Sequence, residues 1–382
     1  MKKQIFLLMV LAGLFSSCAA DKNTNAWGDE LNRYVMESYM PANKYVWNWN
    51  EAIFLKAAIE RCENNIETEK MSAYVREAME HTMGDVNGLH PNAVASGFGL
   101  AFLAQSTGEE KYKQKAFDVY KDYCEIPRSD NGGISHRENV IELWDDTVYM
   151  VSEFLMQMYK LTGDEKYLQE AVFQINAHAE KLEDPETGLW YHGWDNDTIS
   201  TVDPCCQLGW ADNPYRRNNE FWGRGNGWIT MTLVNILDIL PKQMPEYELL
   251  KGKYLKMMNT LANVQDKENG HWYQLPVYPG EEGNFIESSC TAMFAYAVTA
   301  GVRNGLLPAD TFMPVVERAY KGLQEHSLME KDGYLVMKNV CAGTCIGDKE
   351  YYYNREIVND RPFGYGVAIM FYDQYQLLKA QK

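Results

Sequence analysis

Hydrophobic residues recur along most of this chain at steps of three and four residues, the spacing that places them on one face of an α-helix. The pattern predicts about twelve helices within the 382 residues. No stretch rich in Pro, Gly and Ser divides them, so we expect one domain. The predicted helices lie near residues 27–39, 50–62, 70–82, 93–107, 109–122, 143–161, 164–181, 227–241, 245–264, 287–305, 309–324 and 363–379.

Two kinds of turn repeat between these helices. STGEEKY at 106–112 returns as LTGDEKY at 161–167, and in each the glycine is placed to end one helix while acidic residues begin the next. A second motif, a polar turn with glycine followed by a strand-like piece, occurs after every second helix. Its copies are DNGGISH (130–136), ETGLWYH (186–192), ENGHWYQ (268–274) and KDGYLVM (331–337). The repeating unit is therefore a helix, a tight turn, a helix and a longer loop.

Six such hairpins predict an all-α fold, an (α/α)6 barrel with short β pieces in the loops of one face. A solenoid of stacked repeats would require a more regular period than the uneven spacing of the glycine turns. The longer loops then gather at one end of the ring, where a binding or catalytic site is expected. We assign residues 27–382 to this single domain.

The first residues resemble an export signal. Lys2 and Lys3 precede the apolar stretch IFLLMVLAGLF, which is too short to span a membrane, and FSSC ends at Cys18. This favours a lipoprotein signal peptide over 1–17 rather than an ordinary one, with 18–26 as a tether. We expect a bacterial lipoprotein of the periplasm or outer membrane, whose membrane contact is the lipid on Cys18. No later segment is apolar for long enough to be a transmembrane helix.

Composition narrows the possible ligands. The formal charge of −17 and a pI near 4.9 exclude a nucleic-acid-binding protein, which needs a basic surface. Aromatic residues make up 13% of the chain, which suits stacking on sugar rings, although a large core would also use them. Seven cysteines follow Cys18 and leave at least one thiol unpaired, while Cys341 and Cys345 are close enough in sequence for a disulfide. The cysteines and histidines lack zinc-site spacing, so we predict no metal and no cofactor.

The motif WDDTVYM at 144–150 is the first candidate for chemistry. Asp145 and Asp146 begin an apolar helix, where one aspartate would serve as an N-cap. A cap needs one carboxylate, so the second is unexplained and becomes a catalytic candidate. The helical phase does not decide which of the two it is.

A second motif, FWGRGNGW at 221–228, places Arg224 among glycines that permit close backbone approach and unusual dihedral angles. Arginine binds carboxylates in a bidentate fork. The flanking Trp222 and Trp228 suit stacking on a sugar ring. A tight loop with a structural arginine is the alternative explanation.

Two further segments carry candidate ligands. His192 ends the repeated loop element in GLWYHGWD (188–195), and the long polar segment that follows contains Arg216 and Arg217. Long loops of this kind in compact domains are usually functional. In YVWNWNEA (45–52), Trp47 and its neighbour Trp49 could serve the core equally well as a stacking surface.

Taken in order, these motifs resemble the unsaturated uronyl hydrolases of glycoside hydrolase family 105, with family 88 as relatives. The resemblance covers essentially the whole chain after the signal. It rests on WNWNEA, TGDEKY, WDDxxYM, WYHGWD, WGRGNGW and RPFGYG. Each piece alone is weak, but the ordered set is specific, and the family's (α/α)6 barrel agrees with the count of hairpins.

The resemblance assigns roles to individual residues. It implies that Asp146 is the catalytic residue and leaves Asp145 as the cap beside it. In many members a second aspartate stands before the helix that begins near Gly97, where this chain has Asn92 in HPNAVASG. The predicted substrate-binding set is Trp144, His192, Arg224, Trp228, Asn92, Trp47, Asp145 and Trp222.

The implied activity removes a terminal 4,5-unsaturated uronic acid from oligosaccharides made by lyases, by hydration of the C4=C5 enol ether. Asp146 would then donate and accept protons. Its pKa would be raised by apolar surroundings and by the charge of Asp145. Arg224 would bind the uronate carboxylate, and His192 would orient water or substrate. The leaving sugar, rhamnose-type or glucosamine-type, stays open.

Two other functions fit the sequence. A sugar epimerase on the same toroid would use His136 and His192, which end equivalent repeats, as acid and base. A non-catalytic sugar-binding lipoprotein would keep the tryptophans and Arg224 without needing Asp146 at the start of a buried helix.

Overall fold

The predicted helices form almost where the periodicity places them. The computed structural model describes residues 26–196, 205 and 214–381, so Cys18 and the predicted signal peptide lie outside the described residues. One predicted helix, 93–107, is divided at Ala95 and Ser96 into two pieces. Another begins at Gly223 instead of 227, because the glycine-rich motif is itself the first helical turn.

Six of the helices form an inner ring. Each packs against the next in chain order, and the last packs against the first, which closes the ring. They are buried on most sides, as helices inside a barrel must be; every residue from Ser288 to Gly301 is buried in one of them. The inner helices are α2 (Trp49–Glu63), α5 (Gly97–Thr107), α7 (Asp145–Thr162), α9 (Gly223–Ile239), α11 (Ser288–Arg303) and α14 (Pro362–Ala380).

The outer helices alternate with the inner ones along the chain, and each packs on an inner neighbour as one arm of a hairpin. The predicted (α/α)6 barrel is therefore confirmed. The outer helices are α1 (Trp27–Tyr34), α3 (Thr68–His81), α6 (Glu110–Cys124), α8 (Glu165–Leu182), α10 (Pro245–Val264) and α12 (Ala309–His326); two short helices, α4 (Pro91–Val94) and α13 (Lys349–Tyr353), lie in loops.

The repeated turns are equivalent in three dimensions. Gly108 and Gly163 end α5 and α7 with φ angles of 71° and 70°, in the left-handed conformation that favours glycine. The glycines of the longer loop motif, at positions 132, 188, 270 and 333, also have positive φ. The tight turns lie at one end of the barrel and the longer loops at the other, as the sequence repeats predict.

The predicted β pieces form three two-stranded antiparallel sheets in the described part of the chain. In the first, Trp144 pairs with Gly193, which joins the loop before α7 to the loop after α8. The strands are β1 (Glu142–Trp144), β2 (Gly193–Asp195), β3 (Leu328–Lys331), β4 (Tyr334–Met337), β5 (Val340–Cys341) and β6 (Ile357–Val358).

The contact between α2 and α14, which closes the ring, contains a buried network of ion pairs. The guanidinium of Arg61 on α2 donates to both carboxylate oxygens of Asp373 on α14, at 2.8 and 2.9 Å. It also reaches Asp29 on α1 at 2.7 Å. A buried arginine is tolerated here because these carboxylates replace its water.

Cys341 and Cys345, which are close enough in sequence for a disulfide, do not form one. Both are free thiols, and the Sγ of Cys341 instead lies 3.1 Å from the Oγ1 of Thr344 and 3.0 Å from the Nε2 of Gln274. Across the described residues, none of the helices has the length and apolar character needed to cross a membrane.

Candidate active site

The inner helices begin at the end of the barrel that carries the longer loops, and a compact acidic cluster lies there. Carboxylate oxygens of Asp145 and Asp146 and a ring nitrogen of His192 all lie within 4.8 Å of one another. The β1–β2 pairing brings these residues together, because the backbone N–H of Asp145 donates to the carbonyl of His192 at 2.9 Å. Asp145 and His192, which are 47 positions apart in the chain, thereby lie in one site.

Asp145 does not cap the helix. The N-cap of α7 is Trp144, which makes no capping bond through its side chain. Asp145 is fully buried, and neither of its carboxylate oxygens has a hydrogen-bond partner within the described residues. The predicted cap is therefore wrong: the side chain points inward to the cluster.

The glycines of GRGNGW leave room for Asp145. A Cβ added to Gly225 would lie 2.1 Å from the Oδ2 of Asp145, so only glycine permits this contact. The predicted close approach is confirmed. The predicted unusual dihedral angles are wrong, since Gly223, Gly225 and Gly227 lie in regular helix with φ in the ordinary negative range.

His192 is held in one orientation by Tyr352. The tyrosine hydroxyl lies 2.8 Å from the Nδ1 of His192 and accepts hydrogen bonds of 3.4 Å from the backbone N–H of Gly347 and the side-chain amide of Asn218. A tyrosine hydroxyl has a single hydrogen, which is left to donate to Nδ1. The neutral imidazole then carries its own hydrogen on Nε2, which has no partner within the described residues.

Trp144 lies between two histidines. Its ring stacks on His136 with centroids 4.3 Å apart and meets His192 edge-on at 5.4 Å. The indole N–H donates to the Oε2 of Glu142 at 2.8 Å, which fixes the ring. On the far side of the stack, the Nδ1 of His136 lies 3.7 Å from the Oδ1 of Asp146.

Arg224 lies beside the acidic cluster with its guanidinium between two aromatic rings, 4.4 Å from the ring centre of Trp222 and 4.7 Å from that of Phe363. Its two terminal nitrogens donate to the backbone carbonyls of Cys341 and Ala342 at 2.6 and 2.9 Å. The Nε is buried and has no partner within the described residues. The two nitrogens that were predicted to bind a carboxylate are thus already hydrogen-bonded to the protein's own backbone.

Burial controls the protonation of the two aspartates. Removal from water raises the pKa of Asp146 to about 7, while the positive charge of Arg224 opposes that shift. Burial raises the pKa of Asp145 far above its usual value, and the neighbouring Asp146 adds to the shift. The expected desolvation is thus the largest cause of the raised pKa of Asp146, and the repulsion between the two carboxylates raises the pKa of Asp145.

The same burial keeps the histidines neutral. Desolvation lowers the pKa of His192 well below its ordinary value, and the charge of Arg224 acts in the same direction. The pKa of His136 is also well below normal, for which burial is the largest cause. The cluster thus combines imidazoles whose pKa values are well below normal, an Asp145 whose pKa is well above normal and an Asp146 with a pKa of about 7.

Comparison with known proteins fixes the family. The family model of Glycosyl Hydrolase Family 88 matches residues 19–378. The chain belongs to this family. It is a glycosidase, and the resemblance to unsaturated uronyl hydrolases is confirmed. The membership favours this activity over the epimerase and the non-catalytic binding protein.

Among curated relatives, the unsaturated rhamnogalacturonyl hydrolase YesR of Bacillus subtilis (strain 168) is 25% identical over 345 residues, which cover 86% of this chain and 89% of YesR. An unsaturated 3S-rhamnoglycuronyl hydrolase of Alteromonas sp. (strain LOR) is 24% identical, covering 76% of this chain and 70% of that protein. A family 105 glycoside hydrolase of C. acetobutylicum ATCC 824 superposes with a TM-score of 0.79 at 24% identity, over 92% of this chain and 99% of that one. This last similarity shows a shared fold.

Of the remaining predicted residues of the glycosidase, Trp222 contacts the cluster directly, whereas Trp228 and Trp47 are buried away from it. Trp222 lies against His192, with ring centroids 4.4 Å apart. Trp228 is 1% exposed and packs on Tyr149 at 4.7 Å, in the wall behind the cluster. Trp47 is buried and donates its indole N–H to the carbonyl of Asn87.

Asn92 lies on α4, which packs on α7. Its side-chain oxygen is buried and has no partner within the described residues. Its backbone N–H donates to the Nδ1 of His90, whose ring meets His136 edge-on at 5.3 Å. The amide that stands where many family members carry aspartate therefore belongs to the same end of the barrel as the acidic cluster.

Sequence reasoning missed two supporting residues. Gln274 accepts from the indole N–H of Trp222 at 3.3 Å. It occupies the same position in its loop motif as His136 and His192 do in theirs, so the internal repeat could have revealed it. Tyr352 lies on α13, far from any repeated motif, and no local pattern indicated it.

The acidic cluster of the glycosidase has the donor types of a metal site, two carboxylates and an imidazole. A metal ligand must be deprotonated, so a bound ion would have to displace the protons that burial favours on the two aspartates. The expectation that no metal is required stays a prediction.

The contact between Gly225 and Asp145 can be tested by Gly225→Ala. The new methyl group would overlap a buried carboxyl group, so we expect a loss of about 1–3 kcal/mol in the free energy of unfolding and a displaced Asp145. Gly252→Ala on α10 is the matched control, because no heavy atom lies within 4 Å of its added Cβ. That variant should gain about 0.5–1 kcal/mol in urea unfolding. Equal effects of the two substitutions would contradict the assignment.

The raised pKa of Asp146 makes a prediction about stability. The folded protein keeps a proton up to a pH of about 7, whereas an unfolded chain releases it near pH 3.9. The contribution of Asp146 to the free energy of unfolding therefore falls as the pH rises from about 4 to 7, and it is constant above pH 7. Asp146→Asn removes this loss and should stabilise the protein by up to about 4 kcal/mol above pH 7.

Urea unfolding across this pH range measures the effect. Asp164→Asn is the control, and its effect on stability should depend on pH in the opposite direction. The backbone N–H of Lys166 lowers the pKa of the exposed Asp164, so the charged form of Asp164 stabilises the folded protein. A difference between wild type and Asp146→Asn that does not change with pH would disprove the raised pKa.

Proposed function

We propose that this glycosidase removes a terminal 4,5-unsaturated uronic acid from oligosaccharides produced by polysaccharide lyases. The observation that carries the proposal is Asp146, a carboxyl group that titrates near neutral pH inside a buried cluster. Its side chain retains 16% exposure, whereas Asp145 beside it has none. Asp146 is thus the aspartate that a substrate can reach.

The proposed reaction begins at the double bond. Asp146 gives its proton to C4, and the positive charge that develops at C5 is stabilised by the ring oxygen. Water then adds to C5 and returns a proton to the Asp146 carboxylate. The resulting hemiketal opens to a C5 ketone, and the hemiacetal left at C1 releases the leaving sugar as an alcohol. Each proton that Asp146 gives is recovered, so the group is both acid and base.

One titrating carboxyl group suffices for this chemistry. Ordinary glycosidases place two carboxyl groups on either side of the glycosidic bond. Here Asn92 stands where a second aspartate is found in many relatives, and burial raises the pKa of Asp145 well above its usual value. Hydration of an enol ether avoids direct displacement at the anomeric carbon and therefore does not require the second carboxylate.

Arg224 supplies the charge that would attract the uronate. Its Nε has no partner within the described residues, and its guanidinium is the positive group that acts on both aspartates. The guanidinium lies over the rings of Trp222 and Phe363 and is buried from water, which strengthens its attraction for a carboxylate. His192, with a hydrogen on Nε2, would donate to substrate or water. Arg216 and Arg217, which lie over the rings of Trp194 and Tyr191, are less suited to this role.

The absorbance of the conjugated double bond provides the test. Wild-type protein mixed with unsaturated rhamnogalacturonyl and glucuronyl disaccharides should abolish the ultraviolet absorbance, and Asp146→Asn should not. Since Asp146 must be protonated to act, kcat/KM should fall as the pH rises through about 7. Asp164→Asn, on the exposed turn before α8, is the control and should keep full activity. Unchanged absorbance across the disaccharide panel would refute the proposal.

We also propose that the enzyme is an exported lipoprotein attached through Cys18. The support is the basic and apolar start of the sequence, and the family match that begins at residue 19, directly after this cysteine. In a bacterial host, wild-type protein should partition with membranes and incorporate labelled palmitate. Cys18→Ser should do neither; labelling of that variant would place the lipid elsewhere.

A further inference from the structure

A second cavity lies at the opposite end of the barrel from the active site. Its volume is about 360 Å³, and it is lined by the C-terminal halves of α2, α7, α9, α11 and α14. Both sites have a residue on α7: Asp146 belongs to the acidic cluster, and Glu153 lines the cavity. The two are seven residues apart, which is about 10 Å along the helix axis. The cavity is therefore distinct from the acidic cluster.

The inner wall of this cavity is a fixed polar network. The Nζ of Lys56 lies 3.3 Å from a carboxylate oxygen of Glu60 and 3.0 Å from one of Glu153. The side-chain amide of Asn235 donates to Glu153 at 2.7 Å, and the hydroxyl of Tyr296 lies 2.9 Å from the Asn235 oxygen. These buried groups satisfy one another's hydrogen bonds, with the one ammonium group of Lys56 shared between two carboxylates.

Two polar atoms at the cavity remain without partners within the described residues. Gln374 is 4% exposed, and its side-chain oxygen is a buried acceptor with no donor. The Nε of Arg303 is a buried donor with no acceptor. Leaving a buried polar group unsatisfied costs about 1–3 kcal/mol. A ligand that both donates and accepts would satisfy the two.

We propose that this cavity is a binding site for one neutral monosaccharide. A sugar hydroxyl group both donates and accepts, as Gln374 and Arg303 require. The volume lies at the lower end of the range for small-molecule pockets and suits a single ring.

The charges of the wall are of mixed sign and do not favour an ionic ligand. The cations Lys56, Lys160 and Arg303 line the cavity together with the carboxylates of Glu60, Glu63, Glu153 and Asp238, so an ion of either sign would meet repulsion as well as attraction.

The site is independent of the proposed activity, because none of its lining residues belongs to the acidic cluster. Isothermal titration calorimetry with D-galactose, L-rhamnose and D-xylose tests it. Gln374→Met removes the acceptor, and Ala300→Leu fills the cavity from α11. Each should weaken binding about tenfold or more, since a lost hydrogen bond to a buried partner is worth about 1.4 kcal/mol. Gln114→Met, on the exposed surface of α6, is the matched control and should bind as wild type does.

The variant Asp146→Asn distinguishes the monosaccharide site from the active site at the other end of the barrel. A monosaccharide bound at the opposite end should bind this variant as tightly as wild type, and the cavity variants should retain activity toward unsaturated disaccharides. The absence of heat with every sugar, or binding that survives both Gln374→Met and Ala300→Leu, would overturn the proposal and leave a solvent-filled cavity. Thermal unfolding of both variants checks that they are folded.

Discussion

The common direction of the six inner helices is the constraint on which the rest of the structure depends. Because each inner helix is joined to the next by an outer one, all six begin at the same end of the ring. That end collects helix N-termini and long loops, and it holds the two aspartates. The other end collects C-termini, where Lys160 and Arg303 in the last turns of α7 and α11 lie favourably with respect to the helix dipoles, beside carboxylates such as Glu63 and Asp238. The two ends of one barrel thus differ in charge and chemistry.

At the active end, opposing effects act on Asp146. A helix N-terminus and the nearby Arg224 both favour a charged carboxylate. Removal from water favours the neutral acid, and it dominates, which leaves the pKa at about 7. The pKa of Asp145, which has no exposure and no hydrogen-bond partner within the described residues, is also raised well above its usual value. A difference in burial between adjacent residues therefore gives two aspartates of one helical turn different roles.

The barrel and the main site residues could be predicted from sequence because both leave local patterns. Helical periodicity and glycine turns gave the hairpins, and the motifs around Asp146, His192 and Arg224 marked the residues that the fold brings together. What failed depended on distant contacts. The buried state of Asp145 requires Gly225, and the tautomer of His192 requires Tyr352, 160 positions away in the chain. The sequence left the pairing of Cys341 and Cys345 open, because proximity in sequence does not orient two side chains toward each other.

The closure of the ring between its first and last helices sets the order in which the catalytic centre can be completed during synthesis. Phe363 opens α14, the final helix, and covers one face of the Arg224 guanidinium while packing on Trp49 of α2. A nascent chain that has released α7 and α9 already carries Asp146 and Arg224 but lacks this ring. The enzyme is consequently assembled only when the carboxyl-terminal helix docks, so a chain interrupted before α14 would have an open ring and an incomplete catalytic centre.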